Sequence, residues 1–172
     1  FGYVAPSKLP LRLIEGLLAS TSTSKANVKL VFVGDGEEKI SKSILDRVSK
    51  TSLRDKISIT GWASDELYKR YLLAADIAVQ LRTNSRGESS AAILDCHNYS
   101  LPTIVNANGS VADLPENTVI KIPDVFSDLE LAEAIDRFLS DQKLRANVGS
   151  AARNVIEKDH SPDACALAYR DA

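Results

Sequence analysis

Short apolar runs rich in β-branched residues alternate along the chain with segments of helical periodicity. The apolar runs lie at residues 1–5, 28–33, 56–60, 75–81, 103–106 and 118–122. They are nearly uninterrupted, which is typical of parallel strands buried on both faces. Between them, positions such as Ile40, Ile44 and Val48 form stripes at helical spacing. The pattern predicts an α/β fold: a doubly wound, Rossmann-like parallel sheet of about five or six strands with helices on both faces.

After the last apolar run the pattern is helical only. Ser127 is followed three residues later by Glu130, which is the spacing of a capping box at a helix start. Ser161 stands directly before Pro162, which is a start signal for a final helix. We therefore expect a single domain over residues 1–172 that ends in a helical tail.

Composition narrows the class of protein. The 172 residues are 44% hydrophobic and carry a formal net charge of -2, which favours one globular domain and argues against a nucleic-acid partner. The longest apolar runs fall far short of the roughly 20 residues that a membrane span requires, and a cytoplasmic protein is expected. Cys96 and Cys165 are predicted to be buried free thiols, and His97 and His160 lack the spacing of a metal site. The chain has no methionine, and an apolar run starts at its first residue, which predicts a piece of a longer protein.

The segment at residues 81–95 joins a predicted strand to a helix of small residues through a cationic loop that contains glycine. A helix N-terminus attracts anions, because its first N–H groups are free and the positive end of the helix dipole lies there. Arg82 and Arg86 would add positive charge, and Ser89 and Ser90 would add hydroxyl donors. The segment therefore predicts a phosphate site.

Two carboxylates in the same segment have alternative roles. Glu88 and Asp95 are predicted to lie two turns apart on one helix and to project to nearly the same side. Ser85 and Glu88 also have capping-box spacing, so Glu88 either binds the helix backbone or contacts a ligand. Asp95 stands among apolar neighbours and needs a partner, which is either a ligand or a structural donor.

The segments at the carboxyl ends of the predicted strands resemble, in order and spacing, one family. This is the C-terminal, nucleotide-sugar-binding domain of the family-4 (group 1) glycosyltransferases, which have the GT-B fold. Gly2 with Lys8 is similar to the family's Gly-Arg followed by Lys-Gly, and residues 31–36 are similar to its Val-Gly-x-Gly. Residues 94–105 are similar to its Glu-Ala, Gly-x-Pro-Val-Val segment, and residues 109–113 to its Gly-Gly-x-x-Glu. The resemblance covers almost the whole chain.

The resemblance implies roles for individual residues. Lys8 would neutralise the diphosphate that leaves as the bond to the sugar breaks, and Asp95 would grip the ribose hydroxyls. Glu88 would contact the donor sugar, and Trp62 either stacks on the base or packs as a buried indole. The implied catalytic residues are Lys8 and Glu88, and the implied donor-binding residues are Gly2, Lys8, Trp62, Ala63, Arg82, Arg86, Ser89, Ser90 and Asp95.

The sequence departs from the family pattern at two of these places. Tyr3 stands where the family has an arginine, so that Arg82 or Arg86 would have to supply the missing cation. Glu88 lies seven residues before Asp95, whereas the family's two acidic residues are eight apart.

The implied activity is transfer of a sugar, with retention, from a nucleoside-diphosphate sugar to an acceptor. The resemblance implies neither a metal nor a cofactor besides this donor substrate. It also implies that an N-terminal acceptor domain is missing, that the isolated chain is inactive, and that any membrane association would lie in the missing region. The alternatives are a non-catalytic sugar-nucleotide-binding module and, ranked last, a sugar-nucleotide epimerase or NAD-dependent enzyme.

Overall fold

The structure is a computed structural model that describes residues 1–85 and 87–170. Five strands alternate with helices along the chain. The strands are β1 (Leu30–Phe32), β2 (Ile57–Ile59), β3 (Ala78–Gln80), β4 (Thr103–Asn106) and β5 (Ile120–Ile122). The helices are α1 (Pro10–Ala19), α2 (Thr21–Lys25), α3 (Glu38–Val48), α4 (Asp65–Ala74), α5 (Ala91–Asn98), α6 (Asp128–Ser140), α7 (Gln142–Asp159) and α8 (Pro162–Arg170).

All pairings between these strands are parallel, as the sequence predicts. β1 pairs with β2, with Val31 opposite Ser58. β3 pairs with β4, and β4 pairs with β5. The five strands therefore form two hydrogen-bonded sheets, of two and three strands, where the sequence predicts one sheet. A cavity lined by residues of both β1 and β3 lies between the two sheets.

The apolar run at residues 1–5 is not a regular strand, and that prediction is wrong. Val4 forms a single parallel bridge with Gly36, and the N–H of Gly2 donates to the carbonyl of Val33 at 2.9 Å. The run stops there because Pro6 opens a 3-10 turn at Pro6–Lys8 that leads into α1. The run thus ends beside the segment that follows β1 and delivers Lys8 to the carboxyl edge of the strands.

The main core lies where α1 and α6 cross. Ile14 of α1 and Leu131 and Phe138 of α6 are fully buried there. Gly16 allows this close approach, because a Cβ at its position would lie 2.6 Å from the Cδ2 atom of Leu131. The packing of α1 against α6 therefore depends on a residue without a side chain.

The predicted helical tail is present. The capping box of Ser127 and Glu130 opens α6 with both of its hydrogen bonds, and α8 begins at Pro162. Cys96 is buried on α5, as predicted, but Cys165 is exposed. The second prediction is wrong because α8 has no buried residue.

Candidate functional site

Three loops meet at the carboxyl edge of the strands. The N–H of Thr83, after β3, donates to the carbonyl of Ser7 at 2.9 Å. The hydroxyl of Ser110, after β4, donates to the carbonyl of Glu88 at 2.7 Å. These bonds join the turn that carries Lys8, the loop between β3 and α5, and the segment after β4 into one surface.

Asn106 fixes the backbone at the centre of this surface. Its side chain is buried, and its Oδ1 atom accepts from the N–H of Arg82 at 2.7 Å. Its Nδ2 atom donates to the carbonyl of Arg82 at 2.7 Å and to Asp124 Oδ1 at 3.0 Å. The amide of Asn106 therefore satisfies both backbone groups of Arg82 where the chain leaves β3. In the sequence, Asn106 ends an apolar run, which indicates its place at this edge but not this role.

Lys8 lies half-buried against Gly2. Its Nζ atom donates to the carbonyl of Phe1 at 3.3 Å, and a Cβ at Gly2 would lie 2.7 Å from that Nζ atom. Gly2 also has a φ of 84°, which favours glycine. Burial lowers the pKa of Lys8, and the positive charge of Arg82 lowers it further. An anion between the two cations would relieve their repulsion, which makes this place electrostatically suited to phosphate.

Arg82 is held in place by two partners. Its Nη1 atom lies 3.1 Å from Glu88 Oε1, and its Nη2 atom donates to the hydroxyl of Ser90 at 2.7 Å. Arg82 is therefore oriented towards the start of α5, and Glu88 offsets part of its charge. Arg86, the other cation predicted for this loop, lies outside the described residues.

The start of α5 differs from the prediction for Glu88. The N-cap is Ser90, whose hydroxyl accepts from the N–H of Ile93, and the first helical residue is Ala91. The capping box of Ser85 and Glu88 is therefore wrong. Gly87 is the reason, because its φ of 89° is left-handed and interrupts any helix that begins at Ser85.

Glu88 and Asp95 consequently do not lie on one helix. Glu88 precedes α5 in the loop, and Asp95 lies inside α5. The prediction that both carboxylates project from one helix to the same side is wrong. Ser89, also in the loop, is exposed beside the N-cap.

Asp95 has a structural donor. Its Oδ2 atom accepts from the hydroxyl of Tyr68 at 3.0 Å. Burial raises the pKa of Tyr68, and the charge of Asp95 and this hydrogen bond raise it further. The ring of Tyr68 meets the ring of Phe1 edge to face, with centroids 5.5 Å apart. Asp95 is thus linked through Tyr68 to Phe1, and the carbonyl of Phe1 accepts a hydrogen bond from the amine of Lys8. Contact between Asp95 and a ligand stays a prediction.

Trp62 and Ala63 lie in the loop between β2 and α4. The side chain of Trp62 is 78% exposed, so its interpretation as a buried indole is wrong. Gly61, with a φ of 68°, turns the chain outward at this point, and Ser64 caps α4 through the N–H of Leu67. The indole therefore presents a free face to solvent beside the edge of β2.

A cavity of about 560 Å³ lies next to this edge. Of the predicted site residues that the structure describes, Gly2 and Lys8 line it. Its other walls are mainly β1, β3 and the apolar faces of α1 and α6. The cavity is not lined by the other predicted residues that the structure describes, which are Trp62, Ala63, Arg82, Glu88, Ser89, Ser90 and Asp95.

Within residues 1–85 and 87–170, no three His, Cys, Asp or Glu side chains converge as a metal site. None of the helices in the described part of the chain has the length and apolar character of a membrane span.

The segments at the carboxyl edge of the strands follow one another in the order found in a known family. Residues 2–155 match the family described as Glycosyl transferases group 1. The chain belongs to this family. No curated protein matches this glycosyltransferase domain.

Solved glycosyltransferases have the same fold. The C-terminal domain of LpcC, a group 1 family protein from Francisella tularensis, superposes with a TM-score of 0.79 and 16% identity over 94% of this chain and 84% of that one. Anabaena HepE in complex with UDP-glucose gives a TM-score of 0.77 and 20% identity over 90% of this chain. WaaG, a glycosyltransferase involved in lipopolysaccharide biosynthesis, gives 0.71 and 19% over 91%. The domain spans 42% of the length of HepE and of WaaG.

Proposed function

We propose that this domain binds the nucleoside-diphosphate sugar of a two-domain glycosyltransferase, which transfers the sugar with retention to an acceptor held by an N-terminal domain. The observation that carries the proposal is that two cations, Lys8 and Arg82, lie on segments joined by the bond from the N–H of Thr83 to the carbonyl of Ser7, and that Arg82 reaches Ser90 at the start of α5. Membership of the group 1 family supports sugar transfer as the reaction class. The UDP-glucose complex of HepE supports a nucleotide sugar as the donor.

Lys8 is proposed to act on the leaving group. As the bond between the sugar and the diphosphate breaks, negative charge grows on the diphosphate oxygens. A fixed ammonium group therefore stabilises the transition state more than it stabilises the ground state. A diphosphate at Lys8 would also raise its lowered pKa and hold the protonated amine. In this proposal the lysine supplies the charge stabilisation, so that neither a metal nor a further cofactor is required.

Arg82 and the start of α5 are proposed to hold the diphosphate. Asn106 fixes the backbone of Arg82, and Ser90 and Glu88 fix its guanidinium. Backbone N–H groups near Ser89 and Ser90 would complete the anion site. In this arrangement Glu88 orients Arg82, and the resemblance gives it a contact with the donor sugar as a second role.

The nucleoside is proposed to lie across the neighbouring loops. Asp95 would accept hydrogen bonds from the ribose hydroxyls, with Tyr68 fixing the carboxylate, because a vicinal diol suits two carboxylate oxygens. The exposed indole of Trp62, with Ala63 beside it, would stack on the base. The base, the sugar and the acceptor are not determined by these contacts.

The acceptor and the second wall of the cleft are proposed to come from the missing N-terminal domain of the same polypeptide. This predicts that the isolated domain binds nucleotide weakly and transfers no sugar. The same proposal places the enzyme in the cytoplasm, in carbohydrate biosynthesis. Any membrane association is assigned to the missing domain.

The direct test is a titration of the full-length protein with UDP-, GDP- and ADP-sugars by calorimetry, followed by NMR of the product formed from the sugar that binds. We expect one nucleotide class to bind and the anomeric configuration to be retained. An inverted product would refute retention, and failure of every nucleotide to bind would refute the donor site. Binding without turnover across an acceptor panel would favour a non-catalytic module, which Tyr3 at the position of the family arginine also favours.

A further inference from the structure

The loop between β3 and α5 lies against a short 3-10 helix, Gly109–Asp113, which follows β4. The hydroxyl of Ser110 in this helix donates to the carbonyl of Glu88 in the loop at 2.7 Å. The backbone at Gly109 lies directly against Ser85, because a Cβ atom added to Gly109 would collide with the Cβ and Oγ atoms of Ser85. The 3-10 helix therefore forms one wall of the loop.

The same 3-10 helix packs against the first turn of α5. Its residue Val111 is buried in one apolar cluster with Ile93, which lies in that turn, and with Val105 of β4. The N–H of Ile93 donates to the N-cap hydroxyl of Ser90, and the same hydroxyl accepts from Arg82. The position of the 3-10 helix therefore affects the start of α5 as well as the loop before it.

Lys121 joins the C-terminal end of this 3-10 helix to the sheet. It lies in the middle of β5, and its side chain is 12% exposed. Its ammonium group donates to the carbonyls of Ala112 and Leu114 at 2.7 and 2.8 Å, and to Glu116 Oε1 at 2.8 Å. An ammonium group has three N–H donors, and each of these has an acceptor within residues 112–116. Lys121 therefore has no donor left for a ligand.

The two carbonyl contacts are the ones that hold the 3-10 helix. Glu116 is 85% exposed, and an ion pair with an exposed partner contributes little. The side chain of Lys121 is mostly excluded from water, so its charge needs fixed acceptors, which the carbonyls of Ala112 and Leu114 supply. A shift of the 3-10 helix would break these contacts, and Lys121 therefore opposes such a shift.

We propose that Lys121 is a positioning residue for the anion site. Lys121 fixes the 3-10 helix, and Ser110 of that helix fixes the carbonyl of Glu88. The carboxylate of Glu88 in turn orients Arg82. The inference rests on the proposed function, because it takes Arg82 to be a contact of the diphosphate.

The test is a calorimetric titration of the full-length protein with UDP, GDP or ADP, whichever the parent protein binds. Lys121→Met keeps an unbranched side chain in the strand and removes all three N–H donors, and it should weaken binding by about 10-fold. Lys121→Arg retains charge and donors and should recover most of the parent affinity. Glu116→Gln removes only the exposed ion pair and should bind like the parent.

A double-variant cycle separates this path from a general loss of stability. Ser110→Ala removes the hydrogen bond to the carbonyl of Glu88 and should also weaken binding. Because both residues act through the same path, the double variant should bind about as tightly as Lys121→Met alone, whereas independent effects would multiply. Phe138→Leu leaves a cavity in the main core, and it should lower Tm without changing the affinity.

Several results of the titration would overturn the inference. One is parent affinity in Lys121→Met, and another is parent affinity in Ser110→Ala, which holds as a test even if Lys121→Met does not fold. A double variant weakened by the product of the two single effects would show that Lys121 does not act through Ser110. Equal weakening by Phe138→Leu and Lys121→Met would show that stability, and not position, is the cause.

Amide hydrogen exchange keeps the inference separate from the proposed function. In the protein without nucleotide, Lys121→Met should speed exchange of the Ile93 amide, in the first turn of α5, by about 10-fold. The amide of Leu131, which donates to the carbonyl of Ser127 in the first turn of α6, should exchange as in the parent. An unchanged rate at Ile93 would overturn the inference. Failure of the parent to bind any of the three nucleotides would refute the proposed function without changing these rates.

Discussion

The substitution Asn106→Asp tests how the loop that carries Arg82 is held. Aspartate has nearly the shape of asparagine and can still accept from the N–H of Arg82. It cannot donate to the carbonyl of Arg82 at 2.7 Å or to Asp124 Oδ1 at 3.0 Å. The change therefore removes two hydrogen bonds at a residue that is 1% exposed, and it places a second carboxylate beside Asp124.

The expected cost follows from these two lost donations. The carbonyl of Arg82 is left without this partner, which costs about 1–3 kcal/mol, whereas the exposed Asp124 keeps its hydrogen bond from Asn108. Repulsion between the new carboxylate and Asp124 adds to this cost, and we expect the free energy of unfolding to fall by about 3 kcal/mol. For a domain of this size that corresponds to a fall in Tm of about 6–12 °C. Because Arg82 is no longer fixed, affinity for a nucleoside diphosphate should fall by about 10-fold.

Urea unfolding and calorimetric titration measure the two effects separately. Asn117→Asp is the matched control, because it adds the same charge at an exposed position and should shift the urea midpoint little. If Asn106→Asp unfolds at the same urea concentration as Asn117→Asp, the assigned role of Asn106 is wrong. If only stability changes and nucleotide affinity does not, Asn106 supports the fold without positioning Arg82 for the ligand.

Three further outcomes are expected from single features of the structure. Burial, and to a smaller extent the charge of His160, lowers the pKa of His97 from 6.5 to about 4. The contribution of His97 to stability should therefore be complete above pH 6.5, and the free energy of unfolding should fall by about 3 kcal/mol between pH 6.5 and 4. His97→Leu should abolish this part of the pH dependence, as measured by urea unfolding at each pH. Gly16→Val should lower the free energy of unfolding by about 1–3 kcal/mol, because the added side chain meets Leu131. In Gly61→Ala the added Cβ meets nothing within 4 Å, so this variant tests backbone strain alone. Trp62→Ala should weaken nucleotide binding by about 1–3 kcal/mol and leave Tm unchanged, and unaltered affinity would exclude stacking by this indole.

The strand and helix order was predictable from the sequence because it depends on local patterns. The run at residues 103–106 coincides with β4, and the capping box of Ser127 and Glu130 is present, since both signals involve residues close in the chain. The same local rule failed at Ser85, because Ser90 offers a second N-cap and the conformation of Gly87 decides between them. A pattern of residue types does not distinguish two such starts that are five residues apart.

The contacts that hold the site were not predictable, because they join residues distant in sequence. Asn106 bonds Arg82 across 24 residues, and Tyr68 bonds Asp95 across 27. The alternatives for Asp95 stayed open in the sequence for this reason. The only signal for Asn106 was a polar residue directly after a buried strand, which identifies a position at the carboxyl edge but not a partner.

The most direct test of the proposed donor site is a calorimetric titration of the full-length protein and its Lys8→Ala variant. The ligand is the nucleoside diphosphate that forms part of the nucleotide sugar found to bind. Lys50→Ala is the control, because Lys50 is an exposed lysine just beyond the C-terminal end of α3. A charged hydrogen bond to phosphate contributes about 1.5–3 kcal/mol, so Lys8→Ala should weaken binding by about 10-fold to 100-fold while Lys50→Ala binds like the parent. Equal affinity of the parent and Lys8→Ala would contradict the assignment of the diphosphate to Lys8.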